Sequence, residues 1–426
     1  VRRYITAIVI FSLVFFALSS LSNGAGFLIY EHGAAAMAMG GAFVALANNP
    51  SAIFHNPAGI AFLEGTQISF GTTLITSNSS LELTNLATTV EAVSQWFYPS
   101  NFYISHKMND RVAVGFGFFN PYGLGTKWPE DYALRFISTE AEMKTFFFNP
   151  VVAVKLDENF SVSVGVTYVY GILELNRVNL INLTAYGGSI YEAPIVVKGT
   201  GDAIGLNAGA LYRGENFSLG FNWRGGFDLN LEGDLALDNS NIPAPFLAAV
   251  PTEADVTTTM SMPHILGFGV AFNLTESLIF TADLHYVLWS SFEELALEID
   301  YPDPVPDDTE TFEQNWKDSY VLRGGFQYTV NEKFALRAGF LYDKTPQPVE
   351  AMDPLLADAN RWALTGGFGY KSGNFVVDVA YQYEPFIDRE SENRDVVLHP
   401  VTGTNLGLGT YSTTAHLIGM SIGFVF

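Results

Sequence analysis

Asp283 and His285 stand two residues apart in "TADLHYV", and on an extended chain they face the same side. A carboxylate beside an imidazole is the pairing that orients a general base. No serine nucleophile motif, Walker loop or His-rich zinc spacing accompanies it, so the pair reads as polar lining and not as a catalytic centre. Metal chemistry is no better served. The chain has no cysteine. The stretch 293–317 carries Glu293, Glu294, Glu298, Asp300, Asp303, Asp307, Asp308, Glu310 and Glu313 before its first lysine, but without EF-hand spacing. It reads as a solvated acidic loop, the alternative being divalent cations that bridge it to anionic lipopolysaccharide. No catalytic residue, metal site or cofactor is assigned.

Two other groups suit the binding of apolar molecules. "NIPAPFLAAVP", inside the stretch 232–256, is too apolar for an idle surface loop. Ile242, Pro243, Phe246, Leu247 and Val250 are read there as a landing site for a hydrophobic ligand, the alternative being packing against neighbouring loops. Arg323 and Arg337 are candidate partners for a ligand carboxylate, unless they pair with acids such as Asp343.

The elements that position these residues follow from composition and period. Gly (39), Phe (35) and Tyr (20) are abundant, and charged residues are only 15%, against about 25% in ordinary soluble domains. No apolar run long enough for a transmembrane helix occurs beyond the N-terminus. A formal charge of −23 argues against a nucleic-acid partner. From Thr66 onward the pattern has period two. In "HLIGMSIGFVF", Ile418, Met420, Ile422, Phe424 and Phe426 share one face, and Gly419, Ser421 and Gly423 the other. "FSLGFNWR", "FALRAGFLY" and "FVVDVAYQY" repeat the code, with Arg224, Arg337 and Asp378 on the small, polar side. Apolar faces turned to lipid and a polar lumen describe a transmembrane β-barrel. A soluble β-sandwich or propeller would need a dense buried face instead.

Connection lengths give the topology. Short turns are read at Met108-Asn109-Asp110, Asp157-Glu158-Asn159, Gly214-Glu215-Asn216, Asn273 to Ser277, Asn331-Glu332-Lys333 and Ser372-Gly373-Asn374. Long connections lie near 77–100, 121–141, 177–198, 232–256, 293–317, 344–360 and 387–410. Six turns alternate with seven loops, which predicts an antiparallel barrel of fourteen strands with both ends at the periplasm. Residues 1–24 read as a signal peptide: Arg2 and Arg3, an apolar run from Ile5 to Leu18, and small residues before Ala25. The barrel is assigned to 65–426, in the outer membrane of a Gram-negative bacterium.

Residues 25–64 do not alternate. "GAAAMAMGGAFVALA" (33–47) predicts a short helix of small residues broken at Gly40-Gly41, and Asn56-Pro57 marks a turn. About 40 residues are too few for a domain of their own. A plug packed inside the barrel resolves this, because the wall supplies the missing core.

The segment resembles the N-terminal hatch of the FadL/TodX family of outer-membrane transporters. The likeness rests on Ala25-Gly26-Phe27, the run Ala38-Met39-Gly40-Gly41-Ala42-Phe43 and the motif Asn56-Pro57-Ala58. "FFNPYGLGTKW" (118–128), "RAGFLYDKTPQP" (337–348) and "NRWALTGGFGYK" (360–371) extend it across the chain. The resemblance implies passive uptake of hydrophobic molecules, long-chain fatty acids foremost, with aromatic hydrocarbons or a structural or adhesive barrel as alternatives. It implies capture at the loops, an apolar pocket near the hatch, and lateral exit at a kinked third strand, here Phe119-Asn120-Pro121-Tyr122-Gly123, the alternative being that Asn120-Pro121 starts an extracellular turn. The expected contacts are the ligand, membrane lipid and lipopolysaccharide, and the chain is expected to be a monomer and not an enzyme.

Overall fold

The computed structural model describes residues 26–303, 305–391, 403 and 409–426. The leader read at 1–24 and most of the loop read at 387–410 lie outside the described residues. The chain forms one closed antiparallel barrel of fourteen strands. In chain order they are β1 (Thr66–Leu83), β2 (Ser100–Lys107), β3 (Val112–Phe119, resuming at Gly123–Lys127), β4 (Glu140–Lys155), β5 (Phe160–Asn182) and β6 (Ile190–Arg213). Then come β7 (Phe217–Arg224 and Phe227–Leu237), β8 (Glu253–Met262 and Ile265–Asn273), β9 (Leu278–Val287 and Glu294–Asp300) and β10 (Ser319–Thr329). The last are β11 (Phe334–Asp343), β12 (Arg361–Ser372), β13 (Phe375–Pro385) and β14 (Gly409–Val425). The barrel closes where β1 pairs with β14, from Gln67↔Val425 to Leu83↔Gly409.

Each turn read from the sequence joins two strands at the predicted place. The alternation also has the predicted sense. Ile418, Met420, Phe424 and Phe426 are exposed outward, as are Leu336 and Phe334, while Leu417, Ser421, Asp378 and Gln382 are buried inward. Aromatic cross-strand pairs line the outer face, among them Phe280–Phe326 at 5.0 Å and Phe334–Tyr370 at 5.0 Å. Strands β5 and β6, of 23 and 24 residues, greatly exceed the roughly 9–11 needed to cross a bilayer. They rise past the membrane as a long hairpin.

Four strands are interrupted, β9 between Val287 and Glu294 by the 3-10 turn Trp289–Ser291. β3 breaks at Asn120-Pro121-Tyr122, where proline has no N–H to give the ladder. β7 breaks at Gly225-Gly226 and β8 at Pro263-His264, and the two breaks face each other through Gly226 N–H donating to His264 Nδ1 at 2.9 Å. The N-terminal segment fills the lumen. Its helix is shorter than the 33–47 stretch predicts: α1 spans only Ala34–Met37, and α2 spans Ala52–His55. Gly40 and Gly41 take φ of +67° and +76°, which ends the helix. A Cβ on Gly40 would meet the Phe340 carbonyl oxygen of β11 at 2.6 Å, so this turn lies directly on the wall.

Candidate functional site

Small side chains let the N-terminal segment approach the wall, and polar wall side chains hold its backbone. Asp283 Oδ2 accepts from Phe43 N at 2.6 Å and Val44 N at 2.8 Å. Arg323 Nη1 donates to Gly40 O at 3.0 Å and stacks over the Tyr30 ring. His285 Nε2 pairs with the Tyr30 hydroxyl at 2.6 Å. Ser421 Oγ accepts from Ala34 N, and Thr365 Oγ1 accepts from Gly40 N and donates to Ala38 O. The Asp283–His285 pair is thus two separate anchors for the segment. Asn56, fully buried, donates through Nδ2 to Val44 O at 2.8 Å and to Ala210 O of β6 at 3.0 Å, and its Oδ1 accepts from Ala58 N at 3.2 Å. Pro57 opens the 3-10 turn Pro57–Phe62, and Ala58 O accepts from Ser161 Oγ.

The break in β3 leaves an unpaired edge. Toward β2 the ladder stops at Phe102↔Phe118, while toward β4 it continues through Phe119↔Phe147 and resumes at Gly123↔Lys144. The Asn120 side chain spans the break: Oδ1 accepts from Ser100 N at 3.0 Å, and Nδ2 donates to Thr145 O at 2.6 Å. Above it, the N-terminal segment supplies the missing partner. Ile29 N donates to Pro121 O at 2.8 Å and Gly123 N to Phe27 O at 3.1 Å, making an antiparallel bridge Leu28↔Tyr122. A Cβ on Gly123 would meet Ile29 Cδ1 at 2.7 Å, and one on Gly125 would enter the Phe97 ring. On the side facing β2, the wall between Asn120 and Lys127 is therefore closed by residues 27–29 and Phe97, while toward β4 the ladder runs from Gly123↔Lys144 to Lys127↔Glu140.

Above the N-terminal segment the lumen is apolar. One contiguous cluster of buried side chains runs from Leu175, Ile195, Val197, Leu235, Leu297, Ile299 and Leu355, past Leu173, Leu229, Leu231 and Met260, to Phe147, Tyr122 and Phe119 at the break. Phe27, Trp289, Phe292 and Trp316 pack edge-on or tilted beside it, with centroids 4.8 to 5.7 Å from Phe27. At the outer rim a crevice opens between Ile137, Leu175, Ile195, Leu235, Phe312 and Leu355, with the Arg177–Glu310 ion pair at its edge. The loop 344–360 covers it. Gln347 Nε2 donates to Leu356 O at 2.6 Å, and Asp353 Oδ1 accepts from Leu355 N and Leu356 N. Burial pushes the Asp353 carboxyl up to about 6, against the two N–H donors that lower it.

The sequence-selected residues fall in different places. Ile242, Phe246 and Val250 pack with Leu183, Ile181 and Tyr191 of the β5–β6 hairpin tip, while Pro243 and Leu247 are exposed. None of the five lines the rim crevice. Arg337 is paired with Asp378 at 2.6 Å and bonded to Gln327, and Arg323 is engaged by Gly40 O. Asp343 pairs instead with Arg361 at 3.1 Å, and Arg361 also meets Glu384 at 3.1 Å. The strand residues of the crevice and column come from seven strands, β3 to β9, with Ile137, Phe312 and Leu355 added from the connections. Their only sequence signal is inward alternation that turns from polar to apolar above mid-height.

A family model described as "Outer membrane protein transport protein (OMPP1/FadL/TodX)" matches residues 15–426. The long-chain fatty acid transport protein of Salmonella typhi is 23% identical over 364 residues, covering 80% of this chain and 82% of that protein. A putative outer membrane protein of Neisseria meningitidis is 24% identical and covers 96% of each chain. Among solved structures, a Pseudomonas aeruginosa FadL homologue superposes with a TM-score of 0.79 at 19% identity, covering 94% of this chain and all of that one. The Pseudomonas putida toluene transporter TodX gives 0.73 at 16% identity, covering 95% and 99%. A family match over nearly the whole chain and a shared fourteen-stranded barrel place this protein in the Gram-negative outer membrane, as a transport protein and not an enzyme: the chain belongs to the OMPP1/FadL/TodX family of outer membrane transport proteins.

Proposed function

We propose that this barrel takes up hydrophobic molecules, long-chain fatty acids foremost, without an energy source. The observation that carries the reading is the continuous apolar column from the rim crevice to the break in β3. A straight aqueous pore would oppose an acyl chain by about 0.8 kcal/mol per CH₂. A column of Leu, Ile, Val and Met removes that cost, and a wall opening at mid-height delivers the chain into lipid without crossing water. Ligand is captured at the rim, beside exposed Leu247 and Pro243 and under Leu355. It descends the column, displaces residues 27–29 from Pro121 and Gly123, and leaves sideways. Asn56-Pro57-Ala58 holds the rest of the N-terminal segment in place as the hatch that closes the lumen. The fatty acid transport proteins among the relatives support this cargo. The cage of Phe27, Trp289, Phe292 and Trp316 supports a second reading, aromatic hydrocarbons by the same route.

The test places a charge in the column. Leu297→Asp and Leu173→Asp, each introduced alone, should abolish uptake of labelled fatty acid by cells that depend on this protein, with the heat-modifiable barrel band retained. Full uptake through both folded variants would overturn the reading.

A further inference from the structure

Two closures seal the β3 break, and they are carried by different parts of the chain. Residues 27–29 cover Tyr122 and Gly123 and belong to the N-terminal segment. Phe97 covers Gly125 and belongs to the connection between β1 and β2. That connection is held to β1 by Ile75↔Phe97 and Thr76↔Trp96, and by Thr73 N donating to Pro99 O at 3.0 Å. Toward β3 it is tied at its two ends. Val93 N donates to Lys127 O at 2.8 Å, and Ser100 N donates to Asn120 Oδ1 at 3.0 Å.

Register fixes which face of each strand the Phe97 ring occupies. Phe97 lies opposite Ile75, which packs inward beside Ala38 and Leu417. Trp96 and Tyr98 turn outward, 60% and 72% exposed, as residues that anchor at a membrane interface do. On β3, Gly123 and Gly125 lie opposite Lys144 and Glu142, which pair with each other on the outer face, while Met143 between them is buried. The ring therefore points inward from one layer and onto the outer face of the other. The upper part of β3 runs inside the 93–99 connection, and Phe97 fills the space between them. A Cβ on Gly125 would stand 2.1 Å from the ring, so the slot exists because position 125 has no side chain.

We infer that Phe97 determines which ligands leave, by limiting the exit to molecules of slender cross-section. The inference rests on the proposed lateral exit and adds its selectivity. When residues 27–29 withdraw, the wall is free from Asn120 to Gly123, about 10 Å of strand at 3.3 Å per residue. An extended acyl chain passes such a gap end-on. Gly125 to Lys127 stay covered, because Phe97 is carried by the β1–β2 connection and not by the segment that moves. Without the ring the opening would run from Asn120 to Lys127, about 23 Å, and admit fused rings.

The test compares decanoate with pyrenyldecanoate, which has the same chain and acid and four fused rings at the far end. Uptake into cells that depend on this protein is measured beside binding to the purified full-length barrel. The wild-type barrel should bind both and transport the pyrenyl chain at least about tenfold more slowly, within the range that pocket shape discriminates. Phe97→Ala should raise pyrenyl uptake by about that factor and leave decanoate uptake within about twofold. Gly125→Ala, which expels the ring without altering residue 97, should do the same. Gly125→Leu added to Phe97→Ala refills the slot from the β3 side and should restore the wild-type ratio, a rescue that general loosening of the barrel does not give. Equal transport of both ligands by the wild type overturns the inference, leaves lateral exit intact and needs no variant to fold. Failure of the pyrenyl chain to bind the wild-type barrel also overturns it, since the column would then do the selecting. An unchanged uptake ratio in Phe97→Ala and Gly125→Ala, with the heat-modifiable band retained, overturns it as well. Uptake of neither ligand by the wild type overturns both this inference and the uptake reading.

Discussion

Replacing Asn56 by Ala removes one of the side chains that tie the N-terminal segment, the proposed hatch, to the barrel wall. The side chain makes three hydrogen bonds, to Val44 O, Ala210 O and Ala58 N, at 2.8, 3.0 and 3.2 Å, and is fully buried. Only the bond to Ala210 crosses from hatch to wall; the other two fold the hatch on itself. At about 0.5–1.5 kcal/mol net for each, and more where a buried carbonyl is left bare, the loss is about 2–4 kcal/mol. The barrel ladders are untouched, so this falls on local opening of the hatch and not on global unfolding. The population of the opened hatch should rise roughly 30- to 1000-fold. Amide hydrogen exchange of residues 43–60 in the purified protein reads this directly, with the heat-modifiable band as a control for barrel integrity. Unchanged exchange in the hatch would refute the argument, as would equal acceleration in the hatch and in strands β6 and β11.

Arg361→Met should leave Asp343 and Glu384 as buried acids without their cation, costing about 3–5 kcal/mol and lowering the temperature at which the barrel band shifts. The Asp353 carboxyl, raised by burial to about 6, holds its proton more tightly in the folded loop than in the unfolded chain. Stability of the 344–360 cover should therefore increase as pH falls from about 6 toward the ordinary carboxyl value of 3.8, and be lowest above 6. Protease cleavage within that loop should slow over the same window, and Asp353→Asn, which keeps an acceptor oxygen, should remove the pH dependence.

The barrel was legible because its signals are local. Ile418 and Met420 alternate with Gly419 and Ser421 within one strand, and the turn at Asp157-Glu158-Asn159 needs no distant residue to be recognised. The Asn-Pro pair at 120–121 likewise announced a broken ladder, since a proline cannot donate at any register. What the sequence hid depends on residues far apart. The break at Gly40-Gly41 is readable, but not that no helix resumes over 42–47, where the backbone is held by Asp283 from β9, nor that Gly40 lies against the Phe340 carbonyl of β11. The column joins Leu175, Leu235 and Leu297 from three strands whose inner faces are each unremarkable alone. Arg224 is visible as an inward residue of "FSLGFNWR", but its setting over the Phe54, Phe119 and Phe147 rings, bonded to Phe54 O, emerges only when β3, β4 and the N-terminal segment are set opposite it. Apolarity alone marks the landing residues, and it does not distinguish Ile242, packed against the β5–β6 hairpin tip, from Leu355, which lines the crevice.

The central claim is lateral exit at the β3 break, and the bridge Leu28↔Tyr122 offers a reversible lock on it. The flanking bonds, Ile29 N to Pro121 O and Gly123 N to Phe27 O, make this a non-hydrogen-bonded pair, whose Cα atoms lie about 4.5 Å apart and within disulfide range. The chain has no cysteine of its own, so Leu28→Cys with Tyr122→Cys yields one crosslink. Uptake of labelled fatty acid is measured in the same cells before and after reduction. The account predicts that oxidised protein binds ligand but does not transport it, and that reduction restores transport. Equal transport in the oxidised and reduced states would contradict it, because the ligand would then be leaving the barrel by another path.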